Sequence, residues 1–345
     1  MTARRPNRPI RRNSGDDDEA DKPYELVPFP RRGPSLRRPV GHHRYLPDSY
    51  HGTLYLVLAV RTKLHVSTGF TVMGKDVGSR VPLIKTMTRS QDQRLVIQGS
   101  SLKGCVRAIY EAITNSTLAV VTNRYRQKIP RDRQPCRNKE SLCPASQVFG
   151  ALDWQGLVHF TDAVCESTQP VTGFMPALYR PRPDERRAYF RGGQAAGRKF
   201  YYHATEAVDG GNRGTPVQQA GTEYRFKTKL QFMNLSQAQL GALLIALGQH
   251  DDYPMALKLG GGKPIGMGTV QVKVSQIEAA QNVTDRYSSY TPPEAETLTG
   301  ETAAAFIRTA TQAARNSPLI EQPQLQALAE ILAWPTTRTA PDGMY

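Results

Sequence analysis

Residue types able to do chemistry gather at a few places in this 345-residue chain. Ser100, Ser101, Lys103 and Arg107 lie together in Leu95-Val-Ile-Gln-Gly-Ser-Ser-Leu-Lys-Gly-Cys-Val-Arg107. A serine-capped helix start with cations in its first turns suits an anion, because free N–H groups and the helix dipole point at the same spot. A capped helix with solvated charges is the plain alternative. Lys258-Leu-Gly-Gly-Gly-Lys-Pro-Ile-Gly-Met-Gly268 is the second place. Gly260, Gly261 and Gly262 let the main chain approach a ligand and expose N–H groups, and Lys258 and Lys263 add charge. The loop lacks the Gly-Lys-Ser/Thr ending of a P-loop, so nucleotide hydrolysis is a poor reading. A tight turn into a strand is its alternative.

Arg198-Lys-Phe-Tyr-Tyr-His203 interleaves cations with rings. Rings can stack unpaired bases while Arg198 and Lys199 hold a backbone, and a strand with buried rings fits equally well. Cys136 and Cys143 are separated by six residues and could reach one Zn2+. Zinc normally takes four ligands. Cys105, on a helix, and Cys165, beyond a strand, read as core. Four cysteines are too few for a disulfide scaffold in a chain of this length.

These groups must be positioned by elements legible in the pattern. Gly52 to Val66 is a β-rich run suited to a central strand. A short strand enters Gly99, and Leu102, Val106, Ile109, Tyr110 and Ile113 recur at helical spacing after it. Gly156 to Ala163 and Thr222 to Met233 read as strands, Gln237 to Leu247 as a helix capped by Ser236, and Thr269 to Val274 as a strand. Two Ala-rich helices follow near 301–315 and 324–333. Residues 67–94, rich in Gly, Ser, Lys and Arg, read as a long loop. Residues 122–145 and 170–225 read as basic insertions. The order is β-α-β, insertion, β-α-β: an α+β, ferredoxin-like βαββαβ core. Residues 1–50 read as a disordered or docking arm, 51–275 as the core domain with its insertions, and 276–345 as a linker with helices. Tyr24 to Phe29 is the only apolar island of the arm.

Net charge is +15, and residues 276–345 hold four Arg against eight Asp or Glu, so the positive charge is concentrated in the rest. A localised positive field favours a polyanionic partner, since each phosphate met by Lys or Arg releases counterions. No apolar run approaches the roughly 18 residues of a membrane span. The Arg-rich start has no apolar stretch after it of the kind a secretory signal needs. The expectation is a cytoplasmic protein with no membrane partner.

Leu64-His-Val-Ser-Thr-Gly69, Ile97-Gln-Gly-Ser-Ser-Leu-Lys-Gly-Cys-Val-Arg107 and Leu259-Gly-Gly-Gly-Lys-Pro-Ile-Gly-Met-Gly-Thr-Val270 occur in this order. With Cys143-Pro-Ala-Ser-Gln-Val-Phe-Gly150 and Gly156-Leu-Val-His-Phe-Thr-Asp162, the set resembles the RAMP (repeat-associated mysterious protein) superfamily of CRISPR-associated proteins. The resemblance covers 52–275 as a scheme. It implies a backbone subunit of a type III effector complex that stacks along guide RNA beside other effector subunits. A thumb hairpin separates bases, and target RNA is read by base pairing. Arg80 and Lys85 would join the RNA contacts.

In relatives that cut target RNA, an aspartate after the first strand acts with a divalent metal such as Mg2+. Asp76, in Met73-Gly-Lys-Asp-Val-Gly78, is the candidate here, with His65 a second. The family's aspartate precedes the segment matching Val81-Pro-Leu-Ile84, which places Arg80 or Ser79 there, so Asp76 matches only with a shifted loop. The family's Cys-Pro-x-Cys zinc motif has Ser146 in place of its second cysteine. Two other functions compete: a stand-alone endoribonuclease processing CRISPR precursor RNA, for which the scattered histidines form no obvious site, and a generic basic RNA-binding protein.

Overall fold

The computed structural model describes residues 23–167, 169–178, 189–280 and 297–341. Six elements carry the core in chain order. They are β1 (Tyr50–Val60), α1 (Gly99–Ile113), β2 (Val158–Phe160), β3 (Arg225–Leu235), α2 (Gln237–Ala246) and β4 (Thr269–Ala280). β1 pairs antiparallel with β3 on one side and with β4 on the other, and β3 pairs antiparallel with β2. The spatial order is β4-β1-β3-β2, so each helix crosses between two parallel strands with one strand lying between them. The mixed α+β class read from the sequence is what forms.

β1 is central because it alternates. Leu54, Leu56, Leu58 and Val60 are buried to within 1% of full exposure loss, and the residues between them are not. β3 repeats the device with Phe226, Leu230 and Phe232 inward and Arg225, Lys227 and Lys229 outward. Each fully buried aliphatic side chain contributes about 1.5–3 kcal/mol. Leu102, Val106, Ile109, Tyr110 and Ile113 form the buried stripe of α1, as their spacing predicts. Ser236 caps α2, accepting from Gln239 N at 3.2 Å while Gln239 Oε1 accepts from Ser236 N at 3.0 Å. The interior of α2 is buried all round because helix Gly300–Arg315 covers its other face. Gly241 permits this: a Cβ there would meet the Ala310 carbonyl oxygen at 1.9 Å.

The second Ala-rich helix, Gln322–Leu332, packs on α1 and on strand Tyr24–Pro28. Gln324 donates to Pro28 O at 3.2 Å, and Glu321 N donates to Ile113 O at 2.8 Å. The Tyr24–Phe29 island therefore docks on the domain itself. Tyr24–Pro28 pairs with Gly197–Tyr201, while residues 1–22 of the arm lie outside the described residues.

The long-loop reading of 67–94 is corrected. Ser67–Met73 and Leu83–Met87 form a β-hairpin, joined by Thr215–Gln219 and Val171–Met175 into a second, four-stranded sheet. The sequence hides the hairpin for a physical reason. Nearly every side chain of Ser67–Met73 is solvent-exposed, so no buried face imposes an alternation. Both of the added strands come from the basic insertion 170–225.

Candidate nucleic-acid interface

The backbone turns at the end of β1 bring three distant segments together. Gly268 N donates to Lys63 O at 3.0 Å, and Gly261 N donates to His65 O at 2.9 Å, so the Gly-rich loop lies along residues 63–65. Gly260 has a φ of 73°, and a Cβ there would come within 2.4 Å of the His65 carbonyl oxygen. The approach of the two chains thus requires glycine. The first turns of α1 close the group: Cys105 Sγ donates to Lys258 O at 3.6 Å. The segments 64–69, 97–107 and 259–270 share one end of the sheet, although about 190 residues separate the first from the last.

The start of α1 is open. Gln98 occupies the cap position without a side-chain bond, and Gln98, Ser100, Ser101 and Gly104 are exposed. The expected serine cap is corrected, since Ser100 and Ser101 are already inside the first turn. Asp162 Oδ1 instead accepts from Gly99 N at 2.7 Å. A carboxylate at a helix N-terminus is favourable for the same reason a phosphate would be. Lys103 donates to Val158 O at 3.0 Å and is pulled down by burial, with Arg107 adding to the effect.

Beneath the loop lies a polar network that holds no carboxylate among the described residues. Buried Lys258 donates to Gly266 O at 3.2 Å and to Thr269 Oγ1 at 3.4 Å. Burial, with the charge of Lys263 adding, pushes its amine down to about 7. Thr269 Oγ1 also lies 3.0 Å from His203 Nδ1, and His203 Nε2 lies 3.0 Å from Ala256 O. Burial, then the Lys258 charge, pushes His203 down to about 3. The unfolded chain therefore takes up a proton below about pH 6.5 that the folded chain refuses until about pH 3. Stability from this group is full above 6.5 and falls by up to about 1.4 kcal/mol per pH unit below it. Denaturant unfolding at pH 7 and pH 5 should show the loss, and His203→Asn should flatten it.

His65 is not a free acid or base at the surface. It is buried, its Nδ1 lies 2.6 Å from Gln218 O, and burial and the nearby Lys85 hold it below the usual imidazole range. Lys85 is exposed beside it on the hairpin. Lys263 is half-buried on the short turn Lys263–Ile265. Asp76 and Arg80 are both exposed at the far end of the hairpin, Asp76 in the turn Gly74–Val77. Strand Ser67–Met73 separates His65 from Asp76 by about 20 Å. The two candidates for cleavage chemistry are not brought together. Among the described residues no three His, Cys, Asp or Glu side chains form a metal-holding group. A divalent ion at Asp76 would need most of its oxygens from elsewhere, as Mg2+ often takes them from substrate phosphates.

Arg107 and Arg198 point into the fold. Arg107 donates to Glu111 at 2.8 Å, to Gly150 O at 2.9 Å and to Ser146 Oγ at 3.2 Å. Arg198 donates to the same carboxylate at 2.8 Å and to Ser116 O at 2.7 Å. Lys199 lies over the rings of Tyr24 and Tyr201 at 4.5 and 4.4 Å and donates to Tyr201 Oη at 2.8 Å. The cation–ring alternation is spent on packing strand Tyr24–Pro28 against Gly197–Tyr201. Cys136 and Cys143 do meet, both within 3.5 Å of Thr117 Oγ1. A hydrogen bond from Cys136, with Ser146 and Thr117 helping, pulls the Cys143 thiol down against the opposing effect of burial. Their neighbours are hydroxyls, which does not fit a four-ligand zinc site.

Sequence reasoning missed the apolar tip of the hairpin. Phe70, Met73 and Leu83 are 72%, 53% and 57% exposed. Large apolar side chains without a covering element are the only signal the sequence could have offered, and it needed the hairpin to be seen first.

A family profile described as RAMPs, the RAMP superfamily, matches residues 57–271. A search of curated proteins finds no match. Among solved structures, the chain is similar to one described as the cryo-EM structure of the Type III-B Cmr-beta bound to cognate target RNA. Identity is 15% and the TM-score 0.37, over 67% of this chain and 61% of that one, so this chain spans about three fifths of its length. It is also similar to the crystal structure of Thermofilum pendens Csc2, at 13% identity and TM-score 0.32, over 81% of this chain and 75% of the other.

Proposed function

Because the chain belongs to the RAMP superfamily, we propose that it is a guide-RNA-binding backbone subunit of a type III CRISPR RNA-guided complex. The observation that carries this reading is the convergence of the Gly-rich loop, the open start of α1 and residues 63–65 at one end of the sheet. Exposed Lys85, half-buried Lys263 and the exposed hydroxyls of Ser100 and Ser101 suit phosphates, which position RNA without reading its sequence. Target sequence is then read by base pairing with the guide. The order β4-β1-β3-β2 supports a ferredoxin-like core. The hairpin with exposed Phe70, Met73 and Leu83 suits the thumb, since apolar side chains can wedge between unstacked bases. Other effector subunits are its expected neighbours, and the cytoplasm its compartment.

Cleavage of target RNA is the finer part of the proposal. Asp76 would contribute a carboxylate beside a divalent metal such as Mg2+. Co-purification with genomic neighbours and sequencing of bound RNA tests the whole reading. Discrete RNAs that share a repeat-derived handle are expected, and heterogeneous RNA or none sinks it. In the same complex, Asp76→Ala should abolish one metal-dependent cut in target RNA while guide binding persists. An unchanged cutting pattern would leave the subunit as a grip only.

A further inference from the structure

A second basic surface lies at the opposite end of the sheet. Residues 31–44 carry five arginines and no acid. This segment precedes residue 57, where the family match begins. It is zipped to residues 131–142: Arg37 N donates to Leu142 O at 3.0 Å, and Leu142 N returns the bond to Arg37 O at 2.9 Å. Buried Arg133 reinforces the seam by donating to Pro30 O at 2.8 Å and Arg32 O at 2.6 Å. Two of the surface cations here are paired, Arg32 with Glu321 and Arg38 with Glu140. Arg31, Arg37, Arg44, Arg131, Arg137 and Lys139 are exposed and have no ion pair among the described residues. Asp132, 3.4 Å from Arg133, lies in the same seam, so the strip carries an excess of cations over acids, which favours a polyanion.

Along this strip opens a cleft of about 440 Å³, lined by Arg38, His43, Arg44, Lys139 and Trp154, with Glu140, the partner of Arg38, the one acid in its wall. Its volume is in the range that takes a small ligand. Gly41 is closely packed in its wall: a Cβ there would lie 3.0 Å from His43 Nδ1 and 3.5 Å from the Trp154 ring. The indole N–H of Trp154 is buried and makes no hydrogen bond among the described residues. Asn234, at the end of β3, fixes the rim by donating to Gly41 O at 3.0 Å and Arg44 O at 2.9 Å. The Gly-rich loop lies past the other end of β1, an eleven-residue strand about 35 Å long. One nucleotide cannot touch both surfaces.

We infer that residues 31–44 and 131–139 form a second surface for single-stranded RNA, with phosphates on the six unpaired cations and a base received in the cleft beside Trp154. Nearly all its cations are arginine, which meets phosphate in a bidentate fork and stacks on rings. Cations interleaved with aromatic side chains around a base-sized cleft are the pattern of single-strand binding; an acidic protein segment needs no such cleft. The inference rests on the reading of this chain as an RNA grip, but it concerns a different stretch of the RNA.

The test uses the full chain and a uridine-rich single strand carrying photoreactive 5-iodouridine, long enough to reach both surfaces. Wild type should cross-link at the Gly-rich loop and also at Trp154 or the 41–46 segment. Arg44→Glu with Lys139→Glu should lose the second set and keep the first, with unchanged thermal stability. Its affinity should fall about tenfold near 0.1 M salt, and the log–log salt slope should shrink by about 1.4, the value for two single-strand phosphate contacts. Cross-links confined to the loop, or unchanged affinity and slope in the double variant, overturn the inference and leave the loop reading intact. Cross-links at neither place overturn both. Capture of poly-glutamate by the strip with no RNA cross-link there makes it a protein-docking surface and overturns the inference.

Discussion

Arg198→Ala should cost about 3–5 kcal/mol of folding stability, the size expected when one partner of a buried ion pair is removed. Arg198 and Glu111 are both nearly fully buried and 2.8 Å apart, and Glu111 also receives Arg107. Burial pushes the Glu111 carboxyl up while the guanidiniums of Arg198 and Arg107 pull it back. Without Arg198 the carboxyl rises further and stays charged at neutral pH only at a cost. The folded variant therefore binds a proton more readily than wild type. Its deficit should be full well above that raised value and should shrink as pH falls through it. Denaturant unfolding at pH 7 and pH 5 measures both. Glu111→Gln combined with Arg198→Met should recover part of the loss, because no charge is then stranded between the pair. The fraction that stays folded should bind RNA as wild type does. Weaker RNA binding at unchanged stability would place Arg198 at the interface after all.

Lys85→Glu with Lys263→Glu should have the largest effect on RNA. Both cations border the convergence of residues 63–65, α1 and the Gly-rich loop, and neither has an ion pair among the described residues. Reversing two charges removes two phosphate contacts and adds repulsion. Affinity for single-stranded RNA should drop by about ten- to a hundredfold near 0.1 M salt, and the salt slope by about 1.4. Because Lys85 is exposed and Lys263 half-buried, the melting temperature should hardly move. Fluorescence anisotropy across a salt series reads affinity and slope together. An unchanged slope would mean that RNA passes elsewhere and would remove the Gly-rich loop from the interface.

How far the sequence reaches differs from residue to residue. The stripe of α1 and the alternation of β3 were legible because burial on one face writes a period into the sequence. Ser236 announced α2 through local hydrogen bonding that needs no distant partner. The strand Ser67–Met73 wrote no such period, since nearly all its side chains face solvent, and Leu83–Met87 is too short, with only Ile84 and Met87 buried, to show one. Arg107, Arg198 and Lys199 were legible as cations but not as ones already engaged within the fold. A guanidinium reads the same in sequence whether its partner is a phosphate or Glu111. Asp76 and His65, close in the chain, are set apart by an extended strand, whereas Lys63 and Gly268, far apart in the chain, are hydrogen-bonded.

By itself, then, the sequence determined the α+β class, the order of the core elements, the localised positive charge and the motif set that marks the superfamily. All of these follow from local periodicity, capping and composition. Only the tertiary structure decided which cations face solvent, that the Gly-rich loop lies on residues 63–65, and that residues 31–44 are zipped to residues 131–142 into a basic strip. These depend on pairings between residues far apart in the chain. Such pairings are set by packing and by backbone hydrogen bonds that every residue type but proline can donate, so the sequence carries no local mark of them.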